Sequence, residues 1–213
     1  MTDWLNKRVV VLGLARQGTA LARYLAGQGA RVTVSDLRPR EALTEPLAAL
    51  AGLTIEYVLG EHPHTLLDSC DLLCLSGGVD VNAPLPAEAR RCGIALSNDA
   101  EIFLAHCQSP HTIGISGSAG KTTTTTLVGA MLRAQFGEGA VWVGGNIGNP
   151  LIGELERIRP DDRVVLELSS FQLEVMTTGT AIAAVLNVTP NHLDRHGTLE
   201  AYTAAKRRVL ENQ

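Results

Sequence analysis

The stretch GISGSAGKTT, residues 114–123, follows the apolar run at 111–113 and precedes a long helical pattern. A strand, a glycine-rich turn, a Lys-Thr pair and a helix make up the arrangement that cradles nucleotide phosphates. Backbone N–H groups of such a loop face the anion, the lysine reaches the terminal phosphates and the threonine hydroxyl can hold Mg²⁺. The stretch therefore predicts a P-loop that binds ATP or GTP, in which Lys121 contacts the terminal phosphates and Thr122 contacts Mg²⁺.

The glycine spacing departs from the common P-loop pattern. G-x-x-x-x-G-K-[ST] requires a glycine at position 115, where this chain has Ile115, and the glycines lie instead at 114, 117 and 120. A glycine-rich turn can also be a tight strand-to-helix connection that binds nothing. The neighbouring lysine favours the nucleotide interpretation, because a turn with no ligand has no use for an ammonium group.

Composition limits the classes of protein to which the chain can belong. It has 213 residues, 45% hydrophobic and 19% charged, which is typical of a globular protein with a real core. A net charge of −4 argues against nucleic-acid binding. We expect no membrane insertion, since no apolar run approaches the ~20 residues of a span. The four cysteines form no C-x-x-C pair, so we expect reduced thiols in a cytoplasmic protein.

Strand and helix patterns alternate along the whole chain, which is typical of parallel α/β sheets. A break at Gln108-Ser109-Pro110 separates two such series. We therefore predict a Rossmann-like domain over residues 1–108 and a P-loop α/β domain over residues 109–213. The predicted strands cover 9–12, 31–35, 72–75, 94–96, 111–115, 141–143, 164–168 and 181–186. The predicted helices cover 17–26, 121–136, a segment after Pro150, and 199–210.

The turn after the first strand partly matches a dinucleotide fingerprint. In G-x-G-x-x-G the first and third glycines correspond to Gly13 and Gly18, but Ala15 replaces the middle one, which normally lets the backbone approach a pyrophosphate. Asp36 lies about twenty residues on, where an acid that binds ribose would fall. A dinucleotide reductase, a nucleotide held differently and a purely structural turn all remain open on these residues.

The second domain offers further candidates for metal chemistry. Glu167 ends an apolar run where a P-loop enzyme places the carboxylate for its magnesium, and a glutamate there is costly unless it is paired or coordinated. His192 follows the last predicted strand, on a loop at the same sheet edge; the alternative is an ordinary surface histidine. Spacing alone places Lys206 on the exposed face of an ordinary helix and gives it no role.

Taken together, these motifs resemble the Mur ligases. The resemblance rests on five strings: GISGSAGKTT (114–123), GGNIGNP (144–150), ELSSFQLE (167–174), NVTPNHLDRH (187–196) and AAKRRVLEN (204–212). That family's loop runs G-x-x-G-x-x-G-K-[ST], which removes the spacing discrepancy. ELSSFQLE is most similar to the branch that adds D-glutamate.

The resemblance implies an ADP-forming ligase of peptidoglycan precursor synthesis. It would phosphorylate the carboxylate of UDP-N-acetylmuramoyl-L-alanine with ATP and couple the acyl phosphate to D-glutamate. Another amino-acid-adding Mur ligase, folylpolyglutamate synthase and a nucleotide-binding module without turnover are the alternatives. The family has a third, C-terminal domain, so we expect the 213 residues to be a fragment that binds the UDP substrate but does not ligate. We expect a monomer.

The resemblance also assigns roles to residues. Lys121, His192 and Lys206 would be catalytic, with Thr122 and Glu167 at a first Mg²⁺ and His192 and a carbamylated Lys206 at a second. ATP would contact Gly117, Ser118, Ala119, Gly120, Lys121, Thr122 and Thr123. The substrate would contact Arg16, Gln17, Asp36, Leu37, Arg38, Gly77, Gly78, Asn146 and Ser169. Two departures from the family pattern are Ala119, where an asparagine is usual, and Ser76-Gly77-Gly78, where Ser-Pro-Gly is usual.

Overall fold

The computed structural model describes residues 4–211. The chain divides into two compact units, the first ending at Asp99 and the second beginning at Ala100. The string 204–212 ends at Asn212, which lies outside the described residues.

The first unit is a five-stranded parallel sheet with helices between its strands. The valines of the first strand, RVVVL, are all buried, as is usual when helices cover both faces of a parallel sheet. The strands are Arg8–Leu12 (β1), Arg31–Asp36 (β2), Ile55–Leu59 (β3), Leu72–Leu75 (β4) and Ala95–Ser97 (β5). The helices are Arg16–Gly27 (α1), Thr44–Ala49 (α2) and Pro84–Arg91 (α3), with short 3₁₀ segments at Arg40–Leu43 and His64–Leu67.

The sheet order of this unit is β3-β2-β1-β4-β5, so the order reverses at β1. Ligands of open parallel sheets bind beyond the carboxyl ends of the strands at such a reversal. The register pairs Leu12 with both Ser35 and Leu75, which brings the carboxyl ends of β1, β2 and β4 level with each other. The loops that follow these three strands therefore share one edge.

The second unit contains a four-stranded parallel sheet. Its strands are Thr112–Ser116 (β6), Val141–Gly145 (β7), Arg163–Glu167 (β8) and Ile182–Val185 (β9). Its helices are Asp99–His106 (α4, which begins at the last residue of the first unit), Lys121–Phe136 (α5), Ser170–Leu173 (α6), Leu193–His196 (α7) and Leu199–Glu211 (α8). Further 3₁₀ segments lie at Glu138–Ala140 and Leu151–Arg157.

The order of the second sheet, β7-β8-β6-β9, decides where the phosphate loop lies. Strand β6, which precedes the loop, is flanked by β8 and β9. The register pairs Ile115 with Glu167 and Ser116 with Val185. The loop therefore begins between the carboxyl end of β8 on one side and that of β9 on the other.

The α/β class with parallel sheets agrees with the prediction, and the bounds of β4 and α5 are those predicted. Strand β3 was not predicted, although four of its five residues, IEYVL, are apolar or aromatic; in the structure its side chains are at most partly buried. The predicted helix after Pro150 is a 3₁₀ segment. The units divide nine residues before the predicted boundary at 108/109, because α4 packs with the second unit, where Glu101 binds the loop at Thr177 and Thr178.

Candidate functional site

The phosphate loop connects β6 to α5, as the sequence predicts. Gly120 precedes the helix with φ at +82°, a conformation that favours glycine. Thr122 and Thr123 lie in the first turn of α5, where backbone N–H groups have no acceptor within the helix. These donors and the positive end of the helix suit an anion at this place.

Asn187 holds the loop in its present shape. Its side chain makes two hydrogen bonds to Ala119: the Ala119 N–H donates to Oδ1 and the Asn187 Nδ2 donates to the Ala119 carbonyl, each at 3.0 Å. The Ser118 N–H donates to the Asn187 carbonyl at 3.0 Å. The amides of Ser118 and Ala119 therefore face Asn187 rather than a phosphate, which leaves the first turn of α5 as the source of backbone donors. Sequence analysis gave Asn187 no role, although it opens the string 187–196.

Two lysines converge on one carbonyl oxygen of the loop. The Nζ of Lys121 lies 2.8 Å and that of Lys206 2.9 Å from the oxygen of Gly117. Within residues 4–211 neither ammonium pairs with a carboxylate. Two cations without a counter-ion, beside the start of a helix, form a site suited to a polyanion.

The prediction that Lys206 is exposed is wrong. The residue is 1% exposed and lies on the buried face of α8 with Tyr202 and Val209. Its Nζ is 4.5 Å from the centre of the Tyr202 ring. Burial, with a smaller contribution from the Lys121 charge, lowers the pKa of Lys206 to about 8. The spacing of 202, 206 and 209 is that of one helical face and was a signal for this burial.

Thr122 and Glu167 lie together, as a magnesium site would require. The Thr122 hydroxyl donates to Glu167 Oε2 at 2.8 Å, and the Asn146 Nδ2 donates to Oε1 at 2.7 Å. Glu167 is 2% exposed, and among the described residues it pairs with no cation. A buried carboxylate beside a hydroxyl is a hard oxygen donor set of the kind that Mg²⁺ prefers, so these residues fit the first ion.

The turn after β7 permits this arrangement. Gly145 has φ at +97°, and a Cβ atom there would lie 2.5 Å from the Glu167 carbonyl. The next residue, Asn146, donates its backbone N–H to that same carbonyl at 2.8 Å. The close approach of the two strand ends thus places the Asn146 amide on the Glu167 carboxylate. Asn146, predicted to contact substrate, is committed to Glu167 here.

The predicted second metal site is only partly assembled. His192 is exposed, and its ring lies edge-on to Tyr202 with 6.4 Å between the ring centres. Across residues 4–211 no cluster of three or more histidine, cysteine or acidic side chains could hold a metal ion. Lys206 as an amine or ammonium offers no oxygen ligand. These side chains fit a second ion only if Lys206 gains a carboxylate.

The ELSSFQLE string forms a small packed unit with the segment that carries His192. Ser169 caps α6: its hydroxyl accepts the Gln172 N–H at 3.2 Å, and the Gln172 side chain accepts the Ser169 N–H. Ser170, the next residue, contacts the Nε2 of His196 at 3.0 Å. Phe171 stacks on the same ring and meets His192 edge-on, with both centres at 5.1 Å. Ser169 is thereby fixed rather than free to reach a ligand.

The first unit carries the remaining predicted residues at the carboxyl edge of its sheet. Each carboxylate oxygen of Asp36 accepts two hydrogen bonds, from the Leu14 N–H and from the backbone and guanidinium of Arg38, at 2.7–2.9 Å. These contacts lower the pKa of Asp36 to about 2, against the opposing effect of burial. Leu37 is 65% exposed and Arg16 is exposed at the start of α1. Asp36 therefore holds the loop after β1 in place.

Buried polar atoms near Gly77 and Gly78 point to a ligand of this edge. Gln17 Oε1 accepts the Gly77 N–H at 3.1 Å. The other amide atom of Gln17, Nε2, and the hydroxyl of Ser76 are buried without a hydrogen-bond partner. Buried polar groups are normally paired, so these two donors fit a polar ligand between the loops after β1 and β4.

No helix among residues 4–211 is both long and apolar enough to cross a membrane.

Known proteins resemble the whole length of the chain. UDP-N-acetylmuramoylalanine–D-glutamate ligase of Geobacter metallireducens is 45% identical over 98% of this chain and 46% of the relative. The enzyme of that name from Symbiobacterium thermophilum is 46% identical over 98% of this chain and 45% of the relative. The chain thus spans about half the length of the curated relatives that it matches. Among solved structures, UDP-N-acetylmuramate–alanine ligase MurC from Thermotoga maritima matches 96% of this chain and 47% of its own, with a TM-score of 0.50 and 22% identity. This similarity supports the fold.

Two family models match separate parts of the chain. The model for the MurD-like N-terminal domain of Mur ligases matches residues 7–98, and that for the Mur ligase middle domain matches residues 115–213. The two matches follow the two sheets of the structure. The chain therefore belongs to the Mur ligase family, and it carries the family's MurD-like N-terminal domain followed by its middle domain.

Proposed function

We propose that these residues are the nucleotide-binding part of an ATP-dependent ligase that joins D-glutamate to UDP-N-acetylmuramoyl-L-alanine. The observation that carries the proposal is the convergence of Lys121 and Lys206 on the phosphate loop, next to the Thr122–Glu167 pair. The relatives of about 45% identity carry the name of this activity. A cytoplasmic monomer fits the proposal.

The side chains divide the work of phosphoryl transfer between them. When bound, ATP supplies the phosphoryl group that activates a substrate carboxylate, and Mg²⁺ offsets its charge. Lys121 and the first turn of α5 would hold and orient the terminal phosphates. Thr122 and Glu167 would hold the ion, with Asn146 fixing the Glu167 carboxylate. Such electrostatic clamps account for most of the catalysis in this class of reaction.

We propose that Lys206 is carbamylated. The neutral amine would attack CO₂ at carbon, and one proton would leave as the N–CO₂⁻ group forms. The lowered pKa of Lys206, about 8, supports this because it raises the neutral fraction near neutral pH. The carbamate would supply an oxygen donor that, with His192, could hold a second Mg²⁺. The rings of Tyr202 and Phe171 would orient these groups.

The first unit would hold the uridine diphosphate part of the substrate. Arg38, whose side chain is 49% exposed, offers a cation at the carboxyl end of β2. The unpartnered donors of Gln17 and Ser76 would face the ligand between the loops after β1 and β4. Gly77 and Gly78 would let the backbone approach it closely.

The decisive experiment measures phosphate release by the full-length protein. Release should require ATP, Mg²⁺, UDP-N-acetylmuramoyl-L-alanine and D-glutamate together, with the amide product identified by mass spectrometry. L-alanine or a diamino acid in place of D-glutamate tests other branches of the family. Phosphate release that needs no amino acid would indicate ATP hydrolysis rather than ligation, and the complete absence of release would favour a nucleotide-binding module. Either result would refute the proposed ligase.

For the 213 residues alone we propose binding without ligation, because the relatives that carry the name of the activity are about twice as long. Calorimetry should detect ATP binding, and Lys121→Ala should weaken it at least tenfold, since a hydrogen bond to a charged group is worth about 1.5–3 kcal/mol. The control is Lys7→Ala in the first unit. Equal ATP affinity of wild type and Lys121→Ala would contradict the proposed role of Lys121.

A further inference from the structure

The carboxylate of Asp36 has no room for a ligand. Oδ2 accepts hydrogen bonds from the Leu14 N–H and from the Nη2 of Arg38. Oδ1 accepts hydrogen bonds from the backbone N–H and the Nε of Arg38. Donors of the protein therefore fill four accepting positions. An ionised carboxylate has about four such positions. Another group at this sheet edge must therefore accept hydrogen bonds from a bound nucleoside.

His62 lies at the same edge. Strand β3 pairs with β2, with Leu59 opposite Asp36, and the Gly60 N–H donates to the Asp36 carbonyl at 2.8 Å. The chain then brings the His62 ring to the side chain of Ser35, the residue that precedes Asp36. His62 thus follows the carboxyl end of β3, next to the carboxyl end of β2.

The contacts of Ser35 favour one proton position on the His62 ring. The Ser35 hydroxyl donates its one hydrogen to the Glu61 carbonyl at 2.9 Å, so it meets the Nδ1 of His62, at 2.7 Å, as an acceptor. In a neutral ring the proton is then on Nδ1 and the lone pair is on Nε2. Burial lowers the pKa of His62, which favours this neutral form, although the Asp36 charge and the backbone carbonyl of Glu61 oppose the effect.

The Nε2 atom of His62 is available to a ligand. Within residues 4–211 it makes no hydrogen bond, and it is not among the buried polar atoms that lack a partner. It is therefore an acceptor that reaches solvent, held in a fixed orientation by Ser35. An acceptor of fixed orientation, next to a carboxylate whose hydrogen-bonding positions are all filled, is suited to recognising one N–H group of a base.

We propose that the Nε2 of His62 accepts a hydrogen bond from the imide N–H of a uracil base, and that this contact determines base specificity. The inference rests on the proposed function, which places a uracil nucleotide in the first unit. Uracil carries a hydrogen on N3, whereas cytosine has an acceptor at the same position. A fixed lone pair therefore favours uracil and repels cytosine.

The test compares UDP, N3-methyl-UDP and CDP by calorimetry on the 213-residue chain. Wild type should bind UDP roughly threefold to tenfold more tightly than N3-methyl-UDP, the value of one hydrogen bond. His62→Ala should lose that preference, and the larger preference for UDP over CDP should shrink by a similar factor. His62→Gln, which retains an acceptor, should keep part of it. The control is His64→Ala, an exposed histidine two residues further on.

Each result bears on one of the two proposals. A wild type that binds no UDP would overturn both the nucleotide assignment of the first unit and the role of His62. A wild type that binds UDP but does not distinguish it from N3-methyl-UDP would overturn only the role of His62, and this comparison needs no variant. An undiminished UDP preference in a folded His62→Ala protein would also overturn it. Loss of the preference in that variant alone, with the control unchanged, supports it.

Discussion

Replacing Lys206 with methionine should make the second unit more stable at neutral pH. The charged amine is 1% exposed and its pKa is about 8, against 10.5 for an ordinary lysine. A shift of that size corresponds to about 3 kcal/mol of penalty for burying the charge at pH 7. Methionine has a similar length and no charge. It also loses the hydrogen bond to the Gly117 carbonyl, worth about 1 kcal/mol, so the net gain should be about 2 kcal/mol.

The difference in stability between Lys206→Met and wild type should shrink as the pH rises. Between pH 8 and 10.5 the unfolded chain holds the Lys206 proton more tightly than the folded chain does. Wild-type stability therefore rises with pH over that window, whereas the Lys206→Met variant has no such group. At pH 10 the remaining penalty is below about 1 kcal/mol, and the two proteins should be nearly equal.

Urea unfolding at pH 7, 8, 9 and 10 measures these differences. Trp142 reports on the second unit when Trp4, the other tryptophan, is replaced by phenylalanine in both proteins. CO₂-free buffers keep Lys206 an amine. Lys7→Met, in the first unit, is the control and should leave the Trp142 transition in place. A variant that is less stable than wild type at pH 7, or a difference that does not change with pH, would refute the reasoning.

Three further outcomes test other contacts of the second unit. Asn187→Ala should lower the unfolding free energy by about 1–2 kcal/mol and weaken ATP binding, because Ala119 loses both of its hydrogen bonds to the Asn187 side chain. An unchanged ATP affinity would show that these two hydrogen bonds do not shape the phosphate loop for ATP. Asp162→Asn should lower stability at pH 7, because the carboxylate bonded by Arg159 and Trp142 has a lowered pKa. Its stabilisation is lost as pH falls through that lowered pKa, so the two proteins should become equally stable in strong acid. Acid titrations of both proteins that run parallel would contradict this. Gly145→Ala should destabilise the unit by several kcal/mol, because its Cβ would meet the Glu167 carbonyl, and a native melting temperature would rule out that contact.

Sequence patterns predicted the parts of the fold that depend on local regularity. Strand β4 is a short continuous apolar run, and helix α5 lies between the glycine-rich loop and Gly137; the bounds of both agree with the prediction. Glu167 stood out because a carboxylate ends an apolar run, and the structure brings it within 2.8 Å of Thr122. Those signals are contained in a few neighbouring residues and need no knowledge of the pairing between strands.

Contacts across strands could not be predicted in that way. Asn187 meets Ala119 only because β9 lies beside β6, and an asparagine after a strand has the same local pattern as any turn residue. Ser35 and His62 meet because β2 pairs with β3, a strand that the sequence pattern did not reveal. Sheet order, which is not a local property, brought both pairs of residues together.

Lys206 was misjudged for a different reason. Lysine is rarely buried, so its residue type outweighed a spacing that places it with Tyr202 and Val209. The burial costs free energy that a surface lysine would not cost, and an arginine at this position could not lose its charge as readily. The buried amine of Lys206 has a lowered pKa and shares the Gly117 carbonyl with the amine of Lys121, and among the described residues it pairs with no carboxylate. The fold therefore keeps Lys206 at a cost in stability. Groups with strongly shifted pKa values are often found at functional sites. A bound anion, or a carboxylate added to Lys206, would remove the cost of burying this amine.

The order of the second sheet explains which side chains flank the phosphate loop. Because β6 lies between β8 and β9, the phosphate loop has Glu167 at one side and Asn187 at the other. Tyr202 joins the arrangement from α8, since its hydroxyl lies 3.1 Å from the Ser118 hydroxyl and its ring lies under Lys206. Tyr202 therefore contacts both the phosphate loop and Lys206, the residue that donates to the Gly117 carbonyl of that loop, and no local sequence pattern indicates this double contact.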